Sequence, residues 1–172
     1  MLSLELLIPM AKKNLPTVNA HHDDRISWDE YFMNIAEDVA KRSTCVRRQI
    51  GAVIVNGVTK EIVATGYNGN PRGQDHCLAI GCIRDKLGLP SGEKSEVCTA
   101  VHAEQNALLQ AGTRARDGTM YCLIMPCNTC AKMILNAGIR RIVYRDEYPE
   151  KMGKNLLRDL GVEVVKFCRP KK

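Results

Sequence analysis

The chain has 172 residues, 45% hydrophobic and 26% charged, with a formal net charge of +6, which suits one domain with a sizeable core. No apolar run approaches the roughly 20 residues that span a bilayer, and the apolar start MLSLELLIPM has Lys12 and Lys13 behind it, the reverse of a secretory signal. Only 5% of residues are aromatic and no run interleaves them with Arg or Lys, so neither a membrane nor long nucleic acid is expected as a partner; a small anion needs only one or two placed arginines.

Residues 1–25 contain Pro9, Pro16 and the pair His21–His22, lack periodicity, and read as a loose N-terminal arm before a single domain over 26–172. Ser27 and Glu30 match a capping box, and Tyr31, Phe32, Ile35, Ala36 and Val39 form one apolar face, predicting a helix that ends near Arg42. GAVIVNG and EIVATGY are β-branched runs joined by a short turn that begins at Asn56-Gly57, a hairpin signal. The segment from Asn68 to Thr99 is rich in Gly, Pro and Cys and predicts at most a short helix at Ile83–Leu87. A loop of that length in a compact domain is functional or pinned by something.

From there the pattern alternates: helix 102–112, strand 119–125, helix 127–137, strand 140–145, helix 150–160 and strand 162–168. Gly112, Gly138 and Gly161 stand where helix C-caps belong. Two successive strand–helix–strand units require parallel strands with right-handed crossovers. The expected architecture is α/β, a mixed five-stranded sheet with helices on both faces.

The chemistry lies at two helix starts. Cys127 and Cys130, in PCNTC, share one face of a first turn, where the helix N-terminus favours the thiolate that binds metal. His102 opens the helix before the intervening strand. One His and two Cys leave a fourth tetrahedral position open, as in a catalytic zinc site. Two thiolates cancel the charge of the ion and weaken it as a Lewis acid, so the nearby Glu104 gains a purpose: taking the proton from water and delivering it to substrate. The bland alternative is a polar helix start plus two buried thiols. Against it, H-x-E followed by P-C-x-x-C is the pattern of the zinc deaminases of nucleobases.

The stretches RISWDEYFMNIA, KRSTC, GAVIV, ATGYNG, HAEQNA and PCNTCAKMILNAGIRRIVY make the chain, from about Ile26 to Val165, resemble the deoxycytidylate (dCMP) deaminase family, including its bacterial late-competence branch. The resemblance implies the cytidine-deaminase-like α/β/α fold and hydrolysis of dCMP to dUMP and ammonia, with Glu104 protonating N3 and then helping the amine depart. It also implies that Asn68 binds the deoxyribose, Arg47 the phosphate, and that Tyr148 closes over the substrate. Relatives usually carry Thr or Ser where this chain has Leu123, which is tolerable if only the local backbone carbonyl meets the amino group and alters base positioning if the hydroxyl helps. A cytoplasmic homo-oligomer, often hexameric, activated by dCTP and inhibited by dTTP, is implied as well, with an effector loop around Asn70–Gly73.

Cytoplasmic clustered cysteines mean metal more often than disulfide. Cys45, Cys77, Cys82 and Cys98 are expected to close a second, structural zinc that orders the 68–99 segment, as corresponding positions do in some relatives. His76 competes with Cys77 for a ligand place, while Cys122 and Cys168 read as plain thiols. Two other readings stand beside this one. A tRNA adenosine deaminase shares the zinc pattern but lacks support from the STC and GYNG elements. A catalytically silent, zinc-stabilised interaction protein would have no use for Glu104.

Overall fold

The apolar runs TMYCLI and RIVYRD become adjacent central strands, and the rest of the fold is arranged around them. The computed structural model describes residues 25–90 and 93–169, so the expected arm over 1–25 lies, but for Arg25, outside the described residues. In chain order the main elements are α1 (Trp28–Ala40), β1 (Gly51–Val55), β2 (Ile62–Tyr67), α2 (Cys77–Ile80), α3 (Ile83–Lys86), α4 (Ala103–Ala111), β3 (Thr119–Ile124), α5 (Asn128–Asn136), β4 (Arg141–Asp146), α6 (Met152–Asp159) and β5 (Glu163–Lys166). The strand order is β2-β1-β3-β4-β5. β1 pairs antiparallel with β2 and β3, while β3/β4 and β4/β5 are parallel. This is the expected three-layer arrangement.

Local signals set most boundaries. The Ser27 hydroxyl accepts from Glu30 N at 3.1 Å and starts α1. Gly138 and Gly161, at φ 78° and 81°, follow the C-caps of α5 and α6. The hairpin turn is longer than its Asn-Gly signal suggested. Asn56 Oδ1 accepts from the amides of Val58 and Thr59, and the chain runs through residues 56–61 before β2 begins.

α1 covers one face of the sheet, burying Phe32, Met33, Ala36 and Ala40 against Val53, Val55, Tyr121, Leu123 and Val143. A side-chain network fastens this layer. Asp29 accepts from Tyr121 Oη at 2.9 Å and takes both Nη atoms of Arg141, at 2.7 and 2.8 Å. The other face carries α4, α5 and α6 over Ala52, Ile54, Met120, Cys122, Ile142 and Tyr144. α4 turns Ala103, Ala107 and Ala111 inward, and it lies unusually close to β2. A Cβ at Gly66 would come within 2.3 Å of Ala103 O and 2.4 Å of Ala107 N, so only glycine permits this approach. That contact fixes the height of the α4 N-terminus, where His102 sits.

Candidate active site

Two helix starts meet at the carboxyl end of β3. His102 is the N-cap of α4 and Cys127 the N-cap of α5, both in extended backbone, and Cys130 lies in the first turn of α5. Gln105 Oε1 accepts from His102 N at 2.9 Å and fixes the backbone that carries the imidazole. Met125 N donates to Asp146 O at 2.8 Å, tying the chain before Pro126 to the end of β4. The ligand atoms of His102, Cys127 and Cys130 all lie within 4.8 Å of one another, and among the described residues no other group of three such side chains does.

The donor set and its spacing fit zinc. Bonds of about 2.3 Å to sulfur and 2.0–2.1 Å to nitrogen, at a tetrahedral angle, would place S and N about 3.6 Å apart. His102 Nδ1 stands 3.6 Å from Cys127 Sγ and 3.4 Å from Cys130 Sγ. The electrostatics point the same way. Cys127 is drawn down to about 4, first by the hydrogen bond from Cys130, against the opposing effect of burial, and then by His102. Its neighbours are shifted the other way: Cys130 is held well above the usual thiol range by donating to Cys127, and His102 is raised by its own bond to Cys127. A soft divalent cation would replace these shared protons.

Glu104 is 5% exposed. Burial pushes its carboxyl above the usual range, and the His102 charge works against that rise. A buried carboxyl with raised proton affinity beside a ligand trio is equipped to carry a proton.

These groups open into one cavity, whose wall also includes Asn68, Arg47 and Tyr148, the three residues expected to touch substrate. Asn68 is committed to the fold on most sides. Its Oδ1 accepts from Ser43 Oγ at 2.7 Å and Ile50 N at 2.9 Å, and its Nδ2 donates to Arg48 O at 2.9 Å. Arg47 donates from Nη1 to Leu89 O at 2.9 Å, with Nε 3.4 Å from Asp85. Tyr148 packs beside Cys127 on the edge of the core.

Arg84 is a cavity residue that sequence reasoning passed over. Its guanidinium donates to Pro90 O and Glu93 O, its Nε is buried without a partner, and its charge is felt at both His102 and Tyr148. An arginine in a short helix gives no sequence signal of this placement.

Leu123 requires a correction. It is 3% exposed and packs with Phe32 and Val53 under α1, on the face of the sheet away from the ligand trio. Its side chain does not line the cavity; Ile124 and Met125 do. The departure from Thr or Ser at this position therefore changes packing beneath α1 and leaves the lining of the cavity as it is.

Cys45, Cys77, Cys82 and Cys98 also line this cavity. Burial raises the Cys77 thiol, and the other three raise it further, which places all four within electrostatic reach. No three of them reach the 4.8 Å grouping of the first trio. Asn70 helps to hold this part of the lining: its Oδ1 accepts from Thr99 Oγ1 at 3.0 Å, and its Nδ2 donates to Asp75 O at 2.6 Å. His76 is exposed, Cys122 is buried in β3, and Cys168 is exposed.

Residues 26–146 match the family model of the cytidine and deoxycytidylate deaminase zinc-binding region. The chain is 41% identical over 150 residues to the deoxycytidylate deaminase of Schizosaccharomyces pombe, covering 85% of this chain but 46% of that protein, about half its length. It is 35% identical over 145 residues to ComE operon protein 2 of Bacillus subtilis, covering 82% of this chain and 71% of that one. The solved dCMP deaminase of cyanophage S-TIM5, in complex with dCMP and dUMP, superposes with a TM-score of 0.66 at 33% identity, over 80% of this chain and 95% of that one.

Proposed function

Because the chain belongs to the cytidine and deoxycytidylate deaminase zinc-binding family, we propose that it hydrolyses dCMP to dUMP and ammonia, supplying thymidylate synthesis. The observation that carries this reading is the buried Glu104 beside the gathered His102, Cys127 and Cys130, in one cavity with Arg47 and Tyr148. When bound there, zinc supplies the Lewis acid that makes water nucleophilic near neutral pH.

Glu104 moves the protons. As carboxylate it takes one from the water that adds to C4 of cytosine, and it delivers that proton to N3. It then takes the remaining proton from the hydroxyl on C4 and passes it to the exocyclic nitrogen, so that the C4–N bond breaks with ammonia as the leaving group and C4 keeps its oxygen as a carbonyl. The product also keeps the proton on N3. Burial raises the carboxyl's proton affinity, which favours the step in which it takes the proton from water.

Arg47 meets the 5′-phosphate, Asn68 offers its remaining amide hydrogen to the deoxyribose, and Tyr148 closes over the base. Cys45, Cys77, Cys82 and Cys98 hold a second, structural zinc, supported by their clustering in the cavity, and a bound ion would draw them closer. By the family resemblance, residues 26–172 act as the deaminase domain of a cytoplasmic homo-oligomer, hexameric and responsive to dCTP and dTTP. Among the described residues no helix is long and apolar enough to cross a membrane. The test is ammonia release from a panel of cytosine and adenine nucleosides and nucleotides. Turnover of dCMP well above every other compound is expected, and preferential release from an adenine substrate would overturn the assignment.

A further inference from the structure

Tyr148 sits in the connection between β4 and α6, and a tyrosine on such a connection has no position of its own. Yet both ends of this connection are anchored. At its start, Glu147 closes a ring of hydrogen bonds with Tyr144 and Lys154. Tyr144 Oη donates to Glu147 Oε1 at 2.7 Å and accepts from Lys154 Nζ at 2.5 Å. Lys154 also donates to both carboxylate oxygens of Glu147, at 2.9 and 3.1 Å, and its ammonium stands 4.9 Å from the Tyr144 ring centroid. Tyr144 is 1% exposed and the Lys154 side chain 16%, so these two members are seated against the central sheet, while the Glu147 carboxylate, 46% exposed, meets water. Lys166 makes a longer contact with Glu147, at 3.8 Å, from an ammonium about half exposed.

At the far end, α6 rests directly on the metal-ligand loop. A Cβ at Gly153 would lie 2.6 Å from Pro126 O, 2.8 Å from Cys127 C and 3.0 Å from Asn128 N. The turn that carries Lys154 is thus registered against the backbone of Cys127. Packing alone would be served as well by apolar side chains. Three polar groups that saturate one another fix direction as well as distance, because a phenol that both donates and accepts cannot rotate freely.

We propose that Glu147, Lys154 and Tyr144 form a positioning clamp for Tyr148, which, through the Gly153 contact, sets that ring against the Cys127 end of the cavity. The proposal rests on the reading that Tyr148 touches the nucleotide. It makes the three clamp residues determinants of substrate binding, although they do not touch the substrate themselves.

The test is a double-mutant cycle on the zinc-loaded protein. Lys154→Met keeps the aliphatic stem and removes the ammonium. It should raise KM for dCMP and Kd for dUMP by about tenfold, the size of a coupling between groups in one network. Turnover at saturation and zinc content should stay close to the parent's. In a Tyr148→Ala background the same substitution should add nothing further to KM. An equal rise in both backgrounds, or none in the parent, overturns the clamp, since a merely structural role would act irrespective of Tyr148. Glu147→Gln serves as the second variant should Lys154→Met fold poorly. Hydrogen exchange supplies a readout that needs no turnover: residues 145–150 of the ligand-free protein should exchange faster in either variant. Unchanged exchange there also overturns the proposal. Faster exchange in the variants of a parent that turns over no cytosine nucleotide would support the clamp while refuting the dCMP reading.

Discussion

The cavity has two walls of different make. One is built from the ends of regular elements: His102 and Glu104 on α4, Cys127 and Cys130 on α5, Tyr148 after β4. The other is built from the connection between β2 and α4, with Cys77, Cys82, Arg84 and Cys98, and from Cys45 and Arg47 after α1. On the first wall each side chain inherits its place from a helix seated on the sheet, and three ligands already stand at zinc spacing. On the second wall the four thiols are near one another without reaching that spacing. On the proposed reading, the proton carrier and the catalytic zinc ligands belong to the elements seated on the sheet, and the phosphate contact, Arg47, to the part that short helices and side-chain hydrogen bonds hold. Catalytic geometry tolerates little displacement, so this division follows from what each wall must do.

The sharpest way to break the contrast is Glu104→Gln on the rigid wall. The change keeps volume and the ligand trio but removes the proton carrier. A loss of at least about 10² to 10⁴ in turnover is expected, because general acid–base help is of that order. Zinc content by metal analysis should be unchanged, and near-parental turnover would remove Glu104 from the reaction.

On the second wall, Arg47→Ala should act on recognition alone. If Arg47 meets the phosphate, the preference for dCMP over deoxycytidine falls by roughly 10- to 150-fold, the worth of one charge-assisted contact. Competition kinetics with both compounds decide it. A parent that turns over nucleoside and nucleotide equally would deny the phosphate contact altogether.

Cys98→Ser separates the two metals. The parent should carry close to two zinc per chain and the variant close to one, with the retained ion at His102, Cys127 and Cys130. Turnover should fall, by less than in Glu104→Gln, while protection from proteolysis across 68–99 is lost as the tie that orders the segment goes. A parent stoichiometry of one, measured on protein never exposed to chelator, would leave only the rigid wall with a metal.

The smallest effect on turnover is expected at Asp29, beneath α1 and remote from both walls. The Arg141 guanidinium holds its carboxyl below the usual carboxylate range, with Tyr121 adding to the effect and burial opposing it. A carboxyl depressed in the folded state stabilises it above the unfolded value, near pH 4. That contribution fades as pH falls towards the folded value. Asp29→Asn should therefore cost no more than about 1 kcal/mol at neutral pH, given partial solvent screening. Its melting temperature should also fall less steeply than the parent's below about pH 4. Parallel melting curves for the two proteins would show that the pair contributes nothing.

Leu123 shows where sequence reading stops. TMYCLI is apolar on both sides because β3 is covered by helices on both faces, so alternation carries no contrast to say which side meets the cavity. Arg84 was invisible for a different reason: it lies in a four-residue helix whose place depends on contacts with Pro90, Glu93 and the cavity wall. The longer hairpin turn belongs with these, since Asn56 uses its side chain to fold a local loop in place of a tight turn.

Apart from α2, periodicity and spacing by themselves determined the main elements, the mixed sheet, and the gathering of His102, Cys127 and Cys130. The reason is that helix starts, apolar faces and ligand offsets are local properties of neighbouring residues. Tertiary structure alone decided which face of β3 each side chain takes and how closely α4 may approach Gly66. It also brought Arg84 to the cavity and the Glu147–Lys154–Tyr144 ring to the base of Tyr148. The first three depend on atoms far apart in the chain, and the ring, though its members lie within ten residues, closes only when the turn after β4 brings α6 back against the sheet.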